Sequence, residues 1–432
     1  MEKVIAHRLT EYISSNNLCE QFQSAYRKNH GTETALLRVH NDILCELDKK
    51  HGVFLVLLDL SAAFDTIDHD ILFTRLESIG VRGLALGWLK SYLYNRSQAV
   101  NINGTLSSKS PLHFGVPQGS VLGPILFNIY SSPIASIARN HGLFVHAYAD
   151  DTQLYIPFKL NDPSDKLSAL KKTEACILDI KLWMTRNKLK LNDDKTEFLV
   201  MTSKFHQQNM DHTAIQVDSA SIVASSFARN LGVMFDNSLV MEKQVKKICQ
   251  SVFYHIRNVN SIRKTLSDDS AATIIHALIT SRLDNGNALL YNFNDNLLTK
   301  LQLAQNAAAR ILTKTRKYDH ITPVLKELHW LPVRWRIIFK LLLLTWKCVN
   351  DKAPSYLQQL IFPYSPARHL RSSNKFLLSV PRTISSYGDR SFSACAPKLW
   401  NSLPMNIREA TSLEQFKKLL KTHLFNCAYD SL

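Results

Sequence analysis

Cysteine is sparse in this chain and never paired in sequence. Seven occur in 432 residues, at Cys19, Cys45, Cys176, Cys249, Cys348, Cys395 and Cys427. With no Cys-x-x-Cys and no close Cys/His set, a zinc knuckle is not expected, and a scattered odd number argues against a disulfide framework. The usage fits a reducing, intracellular compartment, without choosing between nucleus and cytoplasm. Long apolar runs are also missing. The longest, from Ile337 to Val349, is broken by Lys340 and Lys347. It is too short and too charged to cross a bilayer, so no membrane partner is expected. No signal peptide is visible, since Met1-Glu-Lys leads into an amphipathic helix. There is no low-complexity segment and no clear repeat. Acidic residues are scarce in one half only. Residues 1–240 carry 24 Lys/Arg and 24 Asp/Glu, whereas residues 241–432 carry 28 and 12, and so hold all of the net charge of +16. Segregated basic charge predicts an electrostatic grip on phosphates by the C-terminal half.

The most informative feature present is Tyr148-Ala149-Asp150-Asp151, between the apolar runs 142–147 and 152–156. The pattern predicts two short strands joined by a tight acidic turn. Turns favour Asp in any case, so this feature alone is weak. The support is Asp59, which ends the apolar run Val53 to Leu58. Such a run reads as a central strand buried on both faces, and an Asp at its end is costly unless paired or metal-bound. Carboxylates from this strand and the acidic turn could build an oxygen-rich cage without Cys or His, which suits Mg²⁺ and not zinc. Two such ions about 3.5–4 Å apart serve in-line phosphoryl displacement.

Three blocks follow in order: Leu58-Asp59-Leu-Ser-Ala-Ala-Phe64-Asp65, Gly115-Val-Pro-Gln-Gly119-Ser-Val-Leu-Gly-Pro124, and Tyr148 to Asp151. They resemble the successive palm motifs of reverse transcriptases. The flanking phrases Gln23-Ser-Ala-Tyr-Arg27, Trp88 to Leu93, Asn95-Arg-Ser-Gln98, Trp183 to Asn187 and Leu191 to Thr196 resemble the non-LTR (LINE-type) retrotransposon branch, near the chicken-repeat and jockey-like elements. The resemblance implies an RNA-directed DNA polymerase, with an RNA template, a DNA primer, deoxynucleoside triphosphates and two Mg²⁺ ions, or Mn²⁺ in their place. Asp59, Asp150 and the carbonyl of Leu60 would hold the ions, assisted by Asp151. Phe64 would act as the ribose gate, although an aromatic after a strand is also an ordinary core residue. Gln118 and Gly119 would meet the incoming nucleotide, and Gly tolerates close backbone approach. Lys195 would lie near the leaving pyrophosphate. Arg27 would contact template or nucleotide. Residues 231–235 resemble a hairpin that steadies the primer. Asp65 and Asp68 read as a polar turn leading into a helix from His69.

The expected fold is α+β: a right-hand polymerase palm, an antiparallel sheet with packed helices, then a helical thumb and a helical C-terminal region. The expected segments are 1–50 (partial fingers), 51–235 (palm, with a hairpin turning at Asn103-Gly104), 236–320 (thumb-like) and 321–432 (basic and helical). Basic residues interleave with aromatics at Lys314 to Tyr318 and His329 to Arg336. That mixture suits nucleic acid or, for the tryptophans, helix packing. An Arg-Pro-Ile-Ser-like phrase expected upstream is not found, so the resemblance also implies an N-terminally truncated product. Two other readings stay open: a noncatalytic nucleic-acid-binding relic, and a nucleotidyl cyclase. The Pro-Gln-Gly block and the basic region count against the cyclase. Oligomeric state is not legible.

Overall fold

The computed structural model describes residues 1–61, 64–192, 195–207, 213–218, 220–365 and 376–429. They form two compact units, each assembled from separate stretches of chain. The first comprises Met1–Lys28, Val53–Val200 and Asn209–Ser225; the second comprises Asn29–Gly52, Met201–Gln208 and Ser226–Leu432. The stretch 29–52, expected to belong with the N-terminal segment, is thus part of the second unit.

The first unit is built on a four-stranded sheet of β1 (His51–Leu58), β2 (Phe144–Tyr148), β3 (Asp151–Lys159) and β4 (Glu197–Met201), in the order β4-β1-β3-β2. β1 is interior to the sheet, and the burial of every residue from Val53 to Leu58 shows both its faces covered, which is why the run is apolar without alternation. Phe54 is fully buried and stacks on Phe158 of β3 at 4.3 Å between ring centroids, with Phe198 of β4 at 5.5 Å. These rings register three strands together beneath the strand end that carries Asp59. Helices Glu2–Ser15, His69–Ser78, Gly83–Leu93, Gly123–Ser131 and Pro163–Arg186 contribute to the same core.

Several local predictions are met by specific chemistry. Asp68 caps the helix from His69, accepting from the amides of Asp70 and Ile71. The Asn103-Gly104 turn forms, with both residues at positive φ and Ile102 opposite Thr105. Other ties join distant segments. Glu2 accepts from the amides of Val121 and Leu122 just before helix Gly123–Ser131, and from Tyr92 Oη. Those bonds hold its carboxyl below the usual carboxylate range. Asn187, from the Trp183 phrase, takes bonds from Arg75 and from Tyr130 Oη, while the Arg75 guanidinium lies over the Tyr130 and Trp183 rings.

The second unit is mainly helical. Its helices include Thr32–Asp48, Glu242–Ile262, Asp295–Thr313, Val333–Val349, Phe392–Asn401 and Leu413–Tyr429. Trp346 and Trp400 each stack on Phe416, and each indole N–H finds a carbonyl, those of Ala410 and Phe376. Trp330 is also buried, against His276, and Arg336 forms a paired contact with Asp284. For this second basic-aromatic stretch the packing alternative therefore accounts for Trp330 and Arg336. The first stretch stays open, with Tyr318 92 % exposed. The hairpin Phe227–Asn230 with Val233–Asp236 turns through Leu231 and Gly232, both at positive φ. The loop-like stretch expected from Arg368 begins outside the described residues. Among the described residues no helix is long and apolar enough to cross a membrane.

Phe54→Ala should lower stability by about 3–5 kcal/mol, because a fully buried ring leaves a cavity that surrounding rings cannot fill. Urea denaturation measures this. A loss under 1 kcal/mol would mean that the sheet does not depend on this stack.

Candidate active site

Asp59 follows β1 directly, and its backbone is fixed by an antiparallel clip. Leu60 pairs with Leu191, and the Asn192 amide donates to the Asp59 carbonyl at 2.9 Å. Lys195 reaches back from the same loop, with Nζ 3.4 Å from Asp59 Oδ2 and its side chain 68 % exposed. Asn192 Nδ2 lies 3.5 Å from the same oxygen. Asp193 and Asp194, between these residues in sequence, lie outside the described residues, as do Ala62 and Ala63.

On the neighbouring strand pair, Tyr148 pairs with Asp151, which leaves Ala149 and Asp150 as a two-residue turn. Ala149 is buried and takes a left-handed φ of 56°, a conformation that a residue with a Cβ seldom adopts. Since β1 and β3 are neighbours, Asp59 at the end of one strand meets the acidic turn at the start of the other. The electrostatic consequence is clear. Asp150 is raised above the usual carboxylate range by loss of hydration and then by Asp59, with Lys195 opposing. Asp151 is raised to about 6, first by loss of hydration, then by Asp150 and Asp59, again against Lys195.

The donor set fits a hard divalent cation: mutually repelling carboxylates, with carbonyl oxygens from the clip nearby. The fit is incomplete in one respect. Among the described residues no three His, Cys, Asp or Glu side chains close into an ion-binding cluster. Asp59, Asp150 and Asp151 are within electrostatic reach of one another, without forming a three-ligand cage.

The Pro-Gln-Gly block is clipped to the segment after Asp59. Val116 N donates to the Phe64 carbonyl, and Gly115 N donates to that of Ile67. A Cβ at Gly115 would meet the Asp65 backbone at 2.9 Å, and its φ is +84°. The close backbone approach in this block is therefore at Gly115. Around Gly119 there is open space, and what favours glycine there is its φ of +78°. Gln118 Nε2 donates to both oxygens of Asp65, at 3.0 and 3.1 Å. The Phe64 ring is partly buried and packs on Phe127 at 4.9 Å. Arg27 is turned onto its own loop, donating to the carbonyls of Glu20 and Gln23 at 2.8 and 2.9 Å. That posture gives its expected nucleotide contact no geometric support.

A family model for reverse transcriptase (RNA-dependent DNA polymerase) matches residues 1–235. The chain belongs to this family. Among curated relatives, the probable RNA-directed DNA polymerase from transposon BS of Drosophila melanogaster is 26% identical over 345 residues, 76% of this chain and 36% of that protein. The RNA-directed DNA polymerase from mobile element jockey of Drosophila funebris is 25% identical, over 66% of this chain and 31% of that protein. The jockey-like branch of the non-LTR elements accordingly fits, and both units mix helices with strands as the α+β class requires. The chain spans about a third of the length of these relatives. A solved telomerase from Candida albicans aligns over 78% of this chain and 56% of that one, at 14% identity and a TM-score of 0.38, too loose to carry an argument.

One residue of this site was not legible as such. Gln23 is buried, and its amide bonds to both backbone groups of Ala149 in the acidic turn. The sequence signal was its place in the Gln23 to Arg27 phrase, which said nothing of what the side chain touches.

A carboxyl whose folded-state midpoint lies above its unfolded value favours the fold in its protonated form. Its contribution is present below about 3.8 and is lost as pH rises through about 6. Without divalent ions, the thermal midpoint should therefore carry a component that falls between pH 4 and pH 6, and Asp151→Asn should remove it. A carboxyl-carbon NMR titration checks the assignment directly. The Asp151 midpoint should lie near 6 and move down in Asp59→Asn. A midpoint near 4 in the wild-type chain would refute the coupling.

Proposed function

We propose that this chain is the polymerase portion of an RNA-directed DNA polymerase, adding deoxynucleotides to the 3′-hydroxyl of a DNA primer on an RNA template. The observation that carries the proposal is the meeting of Asp59, at the end of one strand, with the Asp150-Asp151 turn of the neighbouring strand, with Lys195 3.4 Å from Asp59. Asp59, Asp150 and the Leu60 carbonyl would hold two Mg²⁺ ions, with Asp151 assisting and Mn²⁺ able to substitute. Bound there, the ions would lower the pKa of the primer hydroxyl and stabilise charge on the leaving pyrophosphate.

The remaining roles belong to the chain itself. Lys195 lies 3.4 Å from Asp59, and its exposed ammonium would give charge or a proton to the pyrophosphate once Asp59 is otherwise neutralised. Phe64, backed by Phe127, presents a ring that cannot easily retreat, so a 2′-hydroxyl is rejected by collision. Gln118 is oriented by Asp65 through Nε2, which leaves Oε1 as the acceptor for a hydroxyl on the nucleotide sugar. Arg27 serves here as a loop brace. Residues 236–320 would serve as a thumb, the basic residues beyond 320 would add to the grip on phosphates, and residues 1–28 of the first unit would serve as fingers. Excess basic charge beyond residue 240 supplies the phosphate grip.

Asp150→Asn should abolish primer extension on an RNA template with Mg²⁺ and deoxynucleotides while leaving RNA binding unchanged. Binding should weaken steeply with salt, by roughly 10³-fold between 50 and 200 mM if six or more phosphates are contacted. Equal loss of extension and binding in Asp150→Asn would remove Asp150 from the chemistry. Retained binding without extension by the wild-type chain would mark it as a binding relic.

A further inference from the structure

Ala149 poses a problem that its own hairpin does not solve. It sits in the acidic turn at a left-handed φ of 56° and is only 8 % exposed. Its N–H and C=O lie in the two-residue loop, outside the Tyr148–Asp151 pair, so the strand ladder does not satisfy them. Buried backbone groups are costly to leave without partners. The partner is a single side chain from a segment more than a hundred residues earlier. Gln23 Oε1 accepts from Ala149 N at 3.0 Å, and Gln23 Nε2 donates to Ala149 O at 3.2 Å. One planar amide thus pairs with one residue in both directions, as a neighbouring strand would.

The clamp is itself anchored. Ala147 N donates to Phe22 O at 2.8 Å and Ser24 N donates to Ala147 O at 2.9 Å, so residues 22–24 run parallel to the edge of β2. Ser24 Oγ bonds His146 Nε2 at 2.8 Å. Gln23 Oε1 also accepts from Ala25 N at 3.0 Å. The Ala25 carbonyl accepts from Asn128 on the helix that follows the Pro-Gln-Gly block, and Arg27 holds the Gln23 carbonyl. Gln23 is 6 % exposed, so water does not compete.

We infer that Gln23 is a positioning residue for the metal-binding carboxylates: it holds Ala149 left-handed and thereby aims Asp150 toward Asp59. Its amide accepts from Ala149 N and donates to Ala149 O without a change of protonation, which no other side chain of that length does. Glutamate keeps the acceptor and loses the donor, asparagine falls one methylene short, and alanine leaves both backbone groups bare. The inference deepens the polymerase reading and rests on it for its catalytic consequence alone; the conformational claim stands apart from it.

The test uses the full chain and three variants: Gln23→Ala, Gln23→Glu, and Asp150→Asn as the control for ion binding. Mn²⁺ affinity is measured by electron paramagnetic resonance titration, and the Ala149 Cα and Cβ chemical shifts report its φ. Gln23→Ala should weaken Mn²⁺ binding about 10- to 100-fold, the range for residues that orient metal ligands without touching the metal. It should also move the Ala149 shifts toward extended values. Gln23→Glu should fall between alanine and wild type. In primer extension, Gln23→Ala should lower kcat with little change in KM for the nucleotide. A native far-UV circular dichroism spectrum and a cooperative melt above the assay temperature in both Gln23 variants separate mispositioning from unfolding. Left-handed Ala149 shifts retained in Gln23→Ala would overturn the inference, and so would Mn²⁺ affinity equal to wild type. If the wild-type chain binds no Mn²⁺ at all, the polymerase reading fails, and the Ala149 shifts still decide whether Gln23 sets the turn.

Discussion

Charge repulsion between Asp59 and the Asp150-Asp151 turn is the constraint around which the first unit is organised. A sheet order that makes β1 and β3 neighbours puts an Asp at the end of one strand beside two at the start of the next. Left alone, such an arrangement relaxes by moving apart or by taking up protons. Asp150 and Asp151 are raised above the usual carboxylate range, first by loss of hydration and then by this repulsion. Moving apart is opposed by covalently distant clips: Leu60 on Leu191, Asn192 on the Asp59 carbonyl, and Gln23 on Ala149. A site that stores repulsion in this way is suited to a divalent ion.

The clips share a logic. Each joins one motif block or element to a segment remote in sequence, through backbone groups or through a single polar side chain. The Pro-Gln-Gly block is held to the Phe64 segment by two backbone bonds and a glycine that admits no Cβ. The Trp183 phrase is held to helix His69–Ser78 through Asn187 and Arg75. Glu2 ties the first helix to the start of helix Gly123–Ser131. Short, partly buried bonds of this kind are screened by salt less than the attraction of exposed basic charge for any polyanion.

The two basic-aromatic stretches show how similar compositions part ways once packing is known. Around Trp330 the ring is buried and Arg336 is bound to Asp284, so little of either remains for a partner. Around Tyr318 the ring is 92 % exposed. Sequence could not separate them, because whether an Arg meets an Asp more than fifty residues away is a property of the fold alone.

Strands, turns and caps with local causes were legible in the chain. The buried run ending at Asp59, the Asn103-Gly104 turn, Asp68 as a helix cap, and the acidic hairpin each follow from residue type and spacing over a few positions. The ordered motif blocks placed the chain in its family for the same reason, since catalytic groups must be held in sequence-local frames. What tertiary structure alone decided is which distant groups meet. Gln118 could be read as a nucleotide contact but not as a partner of Asp65, and Gln23 not as the clamp on Ala149. Hydrogen bonds are short-ranged and directional, so partners remote in sequence leave no periodic trace in the chain that joins them.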